Sequence, residues 1–132
     1  MAAANPRPPI PEPEPIVIDS AMMDRARWLL DAVAGGTFDR CELAPQLDDF
    51  LPPQVFVNAP TIVGPLGTPQ SMFAFEKRIM ADQTSVYFRV RYPKEILTWI
   101  VSVDPDNRIT GVSLRRGPGN RIFSVVYRDV QY

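Results

Sequence analysis

Few side chains in this sequence could do chemistry. Asp48 and Asp49 stand side by side, and Tyr87, Arg89, Tyr92 and Trp99 fall close together further on. A carboxylate held among apolar groups has a raised pKa and can move protons. Asp49 with Tyr87, Arg89, Tyr92 and Trp99 is therefore the candidate lining of a ligand pocket. Each also has a structural reading. The two aspartates share a helical turn with Leu47, Phe50 and Leu51, which puts the acids on the solvated side. Arg89 and Arg91 lie opposite the apolar positions of their strand, as cross-strand surface charges do. Trp99 sits in the most apolar stretch of the chain and reads as core.

The sequence contains no histidine. Ser-His-Asp and Cys-His catalysis are excluded in their usual forms. One cysteine and no histidine also exclude most zinc sites. Cys41 has no partner for an internal disulfide and no base to ionise it, so it reads as a buried structural thiol. Gly117-Pro118-Gly119 is not a phosphate loop, because neither Lys-Ser/Thr nor a helix follows it. Arg108, Arg115, Arg116, Arg121 and Arg128 flank two turns and read as an exposed rim. No catalytic set, metal or cofactor is implied.

The whole chain narrows the classes further. At 132 residues it is the size of one domain. A hydrophobic share of 45% supports a core, and a net charge of −1 argues against nucleic acid as a partner. The charge is uneven. Residues 1–60 hold nine acids and four bases, and residues 61–132 hold six acids and ten bases, giving −5 and +4. Complementary docking, between copies or onto a partner, is one reading of this; two solvated faces of one fold is the other. No stretch is long and apolar enough to span a membrane. No charged n-region or apolar h-region opens the sequence, which points to the cytoplasm; an exported mature chain would read the same.

Period and punctuation give the elements. Six of the first fifteen residues are proline, which forbids helix or interior strand, so residues 1–18 form an extended arm. Such an arm is a linker, or it lies along a partner. Ile16-Val17-Ile18 at its end needs apolar cover. Asp19 or Ser20 can cap a helix over 20–34, in which Met22, Ala26, Leu29, Leu30 and Val33 make one stripe. Gly35-Gly36 ends it. Short helical turns follow over 37–60, and the glycines and prolines of 61–70 predict an ordered turn or loop. Strands are expected at Met72–Met80, Val86–Tyr92, Ile96–Val103, Ile109–Leu114 and Ile122–Val130. Ile96–Val103 is apolar on both faces and reads as the central strand. Turns at Asp104–Asn107 and Gly117–Asn120 imply an antiparallel meander.

A helix, short helices and then long antiparallel strands resemble the cone-shaped NTF2-like (SnoaL-like, ketosteroid-isomerase-like) fold. Gly35-Gly36-Thr37-Phe38-Asp39, Gly64-Pro65-Leu66-Gly67-Thr68-Pro69, Val86-Tyr87-Phe88-Arg89-Val90 and the Asp104–Leu114 run look most like NTF2-like accessory domains found beside serine-hydrolase and β-lactamase-like domains. The likeness covers roughly residues 20–116. This chain is expected to differ in lacking a hydrolase domain, and in its arm and its extra last strand. The resemblance implies an α+β fold over 19–132, with a pocket between helices and curved sheet, and a homodimer paired through the sheet. Val101, Val103, Ile122, Val125, Val126 and Tyr127 would line that interface. The expected function is a non-catalytic binding or assembly module, acting on a protein partner or on copies of itself. The arm could serve such a partner. A small isomerase or dehydratase, or a carrier of an apolar ligand, is the alternative.

Overall fold

Asp19 opens the first helix: its Oδ1 accepts the Ala21 N–H at 3.2 Å, satisfying one of the donors that a helix start leaves unpaired. Helix α1 runs over Ser20–Gly35 in the computed structural model, which describes residues 13–50, 57–80, 82–116 and 120–126. Gly36 closes it at φ +73°. Its N–H donates to Val33 O and that of Thr37 to Ala32 O at 2.9 Å, the reciprocal Schellman pairing. Ala26, Leu29, Leu30, Ala32 and Val33 form the buried stripe.

A 3-10 turn (Arg40–Glu42) and helix α2 (Pro45–Phe50) follow. Helix α3 (Ala59–Val63) and a second 3-10 turn (Gly64–Leu66) come next. Residues 61–63 thus belong to a helix where an ordered turn or loop was expected, and 64–66 form such a turn. Pro60 falls in the first turn of α3, where its missing N–H costs nothing. Ala59 and Val63, four residues apart, are both buried. Val55 and Phe56 lie outside the described residues.

The remainder is a curved antiparallel sheet of five strands in the order β1-β2-β3-β4-β5. These are β1 Ser71–Met80, β2 Gln83–Arg91, β3 Ile96–Val103, β4 Ile109–Arg115 and β5 Arg121–Val126. Spatial order equals chain order, so the meander is as expected, with β3 at its centre. The expected extension of the last strand beyond 126 lies outside the described residues.

One face of the sheet carries the core. Phe88 pairs with Trp99, and Trp99 with Leu114; Val86 pairs with Val101, and Val101 with Val112. These residues, with Leu97, Val90 and Val125, are buried together with the α1 stripe. The Trp99 indole N–H donates to Ala26 O of α1 at 3.0 Å, so the one polar atom of the largest core side chain is satisfied. Beyond β1, the end of the arm runs alongside: Ile16 N–H donates to Ala74 O at 2.8 Å. Ile18 packs on the core, whereas Val17 is fully exposed. Only part of the apolar triplet therefore finds cover within the chain.

Candidate functional site

The sheet divides the candidate pocket residues between its two sides. Side chains alternate along a strand, so Val86, Phe88 and Val90 face α1 while Tyr87 and Arg89 face away. Trp99 and Tyr92 belong to the α1 side and are core. Tyr92 is pushed up to about 12, first by burial and then by the Asp31 carboxylate, which leaves it a poor proton donor near neutrality. Asp49 is exposed on α2. Tyr87, Arg89, Tyr92, Trp99 and Asp49 are therefore not brought together, because the period of two separates the very residues that proximity in sequence grouped.

Cys41 is exposed, which corrects its assignment as a buried thiol. Phe38 and Leu43 take the buried positions on either side of it. Asp39 Oδ1 accepts the Cys41 N–H at 2.9 Å, and that neighbouring carboxylate holds the thiol above its ordinary value. A thiol so placed is a weaker nucleophile at neutral pH. Among the described residues, no group of three His, Cys, Asp or Glu side chains could hold a metal ion.

Three of the valines expected at an interface are also inside. Val101, Val103 and Val125 are core residues beneath the helices, and Ile122 is half-buried against them. The three buried valines cannot meet a second copy unless the helical layer is removed. The side chain of Val126, and all of Tyr127, lie outside the described residues.

What the outer side of β1 and β2 does assemble is a ladder of arginines and aromatic rings. The β1–β2 register shifts between Ala74 and Glu76, so Phe75 is an extra, bulged residue. Phe75 follows the core-facing Ala74 onto the side of Tyr87, and the bulge brings Glu76 and Arg78 to that side as well; the two rings meet edge to face with centroids 6.2 Å apart. The Arg89 guanidinium lies over Phe75 and that of Arg78 over Tyr87, each 5.1 Å from the ring centroid. Both distances are within cation–π range. Arg89 Nη1 reaches Thr98 Oγ1 at 3.5 Å, and its buried Nε has no hydrogen-bond partner. Arg78 also pairs with Glu76 at 2.6 Å.

This ladder is the open part of the outer face. Across β3 and β4 the same face is closed, with Ile100, Ser102, Thr110, Ser113 and Arg115 all buried. Around the ladder, Arg91 is exposed, Met80 is 59% exposed and Ile96 is 43% exposed. On the α1 side the sheet edge forms a groove of about 300 Å³ lined by Ile18, Met22, Arg25, Lys77 and Asn107. Its Arg25 is already engaged by Glu42 at 2.9 Å and by the Asn107 carbonyl.

Phe75 and Arg78 were missed by the sequence reading. Their signal was the density of arginine and aromatic residues across the β1–β2 hairpin, but the bulge that aligns them leaves no mark in the sequence. Comparison with protein-family models, with curated proteins and with solved structures gave no match.

Proposed function

We propose that this chain is a non-catalytic assembly module on an NTF2-like scaffold, which joins copies of itself through the outer face of β1 and β2. The observation that carries this reading is the ladder Arg78–Tyr87–Phe75–Arg89, an accessible platform of aromatic area and positive charge. Arginine and tyrosine are the residue types that contribute most at protein interfaces. The −5 and +4 halves of the sequence give copies of the chain complementary partners in one another.

An isomerase, dehydratase or carrier on such a scaffold would use open space between helix and sheet, with a carboxylate facing it. Grooves of about 240 and 300 Å³ do open between α1 and the β1 edge of the sheet, with Asp31 in one and Asp19 in the other, but the interior of the layer is filled by Trp99, Phe88, Leu97, Leu114 and Leu29, all fully buried. That packing speaks for binding at the surface rather than chemistry within.

Light scattering across a dilution series tests the proposal. Apparent mass should rise with concentration, and the rise should shrink between low salt and roughly 0.5 M salt, where charge attraction across an interface is screened. A chain that stays monomeric at the highest soluble concentration in low salt sinks it.

A further inference from the structure

We infer that the surface received by the ladder is the Trp28 face of α1 on a second copy, so that copies join head to tail. This rests on the self-association reading and adds the identity of the opposing surface.

Trp28 is 48% exposed on a helix whose opposite stripe is fully committed to the core. Asp24 precedes it by four residues and Asp31 follows by three, so both lie beside it on the same helical face, and both are exposed. Arg27, also exposed, flanks that face on one side. An indole bordered by carboxylates is thus presented on α1. The ladder presents the complement: rings bordered by guanidiniums. Trp28 over Arg78 and Arg89 would extend the cation–π stacking already present, while Asp24 and Asp31 would meet arginine.

The alternative pairing, ladder against ladder, is disfavoured by charge. Among the described residues on the ladder's side of β1 and β2, Arg78 and Arg89 stand with a single carboxylate, Glu76, which Arg78 already engages. Like charges opposed across an interface suppress association. The two complementary patches lie on opposite sides of the sheet, since α1 packs on the face that carries Trp99 and the ladder is on the other. One copy cannot satisfy both with itself. Two different patches on opposite sides make a heterologous contact, which adds copies without limit or closes as a ring.

Two exposed-site variants test this. Trp28→Ala keeps the ladder and Arg78→Glu keeps the Trp28 face; far-UV spectra and thermal melts check that each is folded. Each alone should need at least about tenfold higher concentration to associate. Mixed in equal amounts, they hold one intact pair of patches and should form a 1:1 heterodimer that grows no further. Wild-type mass should pass that of a dimer as concentration rises. A wild-type plateau at the dimer, with no recovery on mixing, would overturn head-to-tail joining while leaving self-association standing. Trp28→Ala assembling like wild type would overturn it as well. A wild type that never associates removes both proposals. If Trp28→Ala does not fold, Asp24→Lys with Asp31→Lys probes the same face: weakened assembly supports the inference and unchanged assembly overturns it.

Discussion

Trp99 and Ala26 are 73 residues apart in sequence and joined by one hydrogen bond of 3.0 Å, from the indole N–H to a carbonyl of α1. That bond fixes the height of the helix over the central strand. It also means that the indole is held by packing and by its polar atom together.

Trp99→Ala should therefore destabilise the fold by roughly 3–5 kcal/mol, as truncation of a buried aromatic does. Trp99→Phe keeps most of the apolar volume and gives up the hydrogen bond, so about 1–3 kcal/mol is expected. Urea unfolding of both variants reads the difference. An alanine variant within about 1 kcal/mol of wild type would show that the indole is not a core group.

The two glycines that end α1 should respond oppositely to alanine. Gly36 has φ +73°, and a Cβ there would stand 2.8 Å from Pro60 Cγ. Gly36→Ala should cost about 2 kcal/mol or more, from backbone strain and from the displaced α3. At Gly35 the nearest atom to an added Cβ is Thr37 Oγ1 at 3.9 Å. Gly35→Ala should be neutral or stabilise by up to ~1 kcal/mol. Thermal melts of the pair check the contrast, and equal melting temperatures would refute it.

Glu95 and Arg116 tie the β2–β3 turn to the end of β4, with Arg116 Nη2 2.9 Å from Glu95 Oε2. The hydrogen bond from Arg116 holds the Glu95 carboxyl below its ordinary value. A depressed carboxyl stabilises the fold above its unfolded pKa and loses that contribution as pH falls through the folded one. Glu95→Gln should thus lower stability at neutral pH, and the gap to wild type should close as pH falls below the carboxylate range. Midpoints of urea unfolding measured from pH 7 to pH 2 follow this directly. A gap that stays constant with pH would mean that the pairing contributes nothing.

Much of the fold was written locally. Asp19 and Gly36 mark the two ends of α1 by chemistry that needs no tertiary contact, alternation marks β2, and the run apolar on both faces marks β3. Asp104–Asn107 turns the chain, with Asn107 at φ 64°, a conformation that asparagine tolerates better than most residues. What was not legible depends on partners distant in sequence. Helix α3 is short and proline-punctuated, and it is held by burial of Ala59 and Val63 rather than by propensity. The ladder depends on the bulge at Phe75, which turns Arg78 to the side of Tyr87 and exists only because β1 is registered against β2. Trp28 gave no periodic signal, because it lies off the stripe that marks the helix.

The strand order carries a consequence for the rate and route of folding. Each strand pairs with the next one made, so every hairpin closes a short loop, and the sheet can zip from either end at little entropic cost. Helix α1, the first of the described elements, meets its Trp99 partner only across a long closure. In refolding, burial of Trp99 should trail the far-UV signal of the hairpins, leaving an interval in which the apolar face of the sheet is already formed and still uncovered. A crowded solution is most dangerous to the chain in that interval, and a helix that is capped at both ends before it docks shortens it.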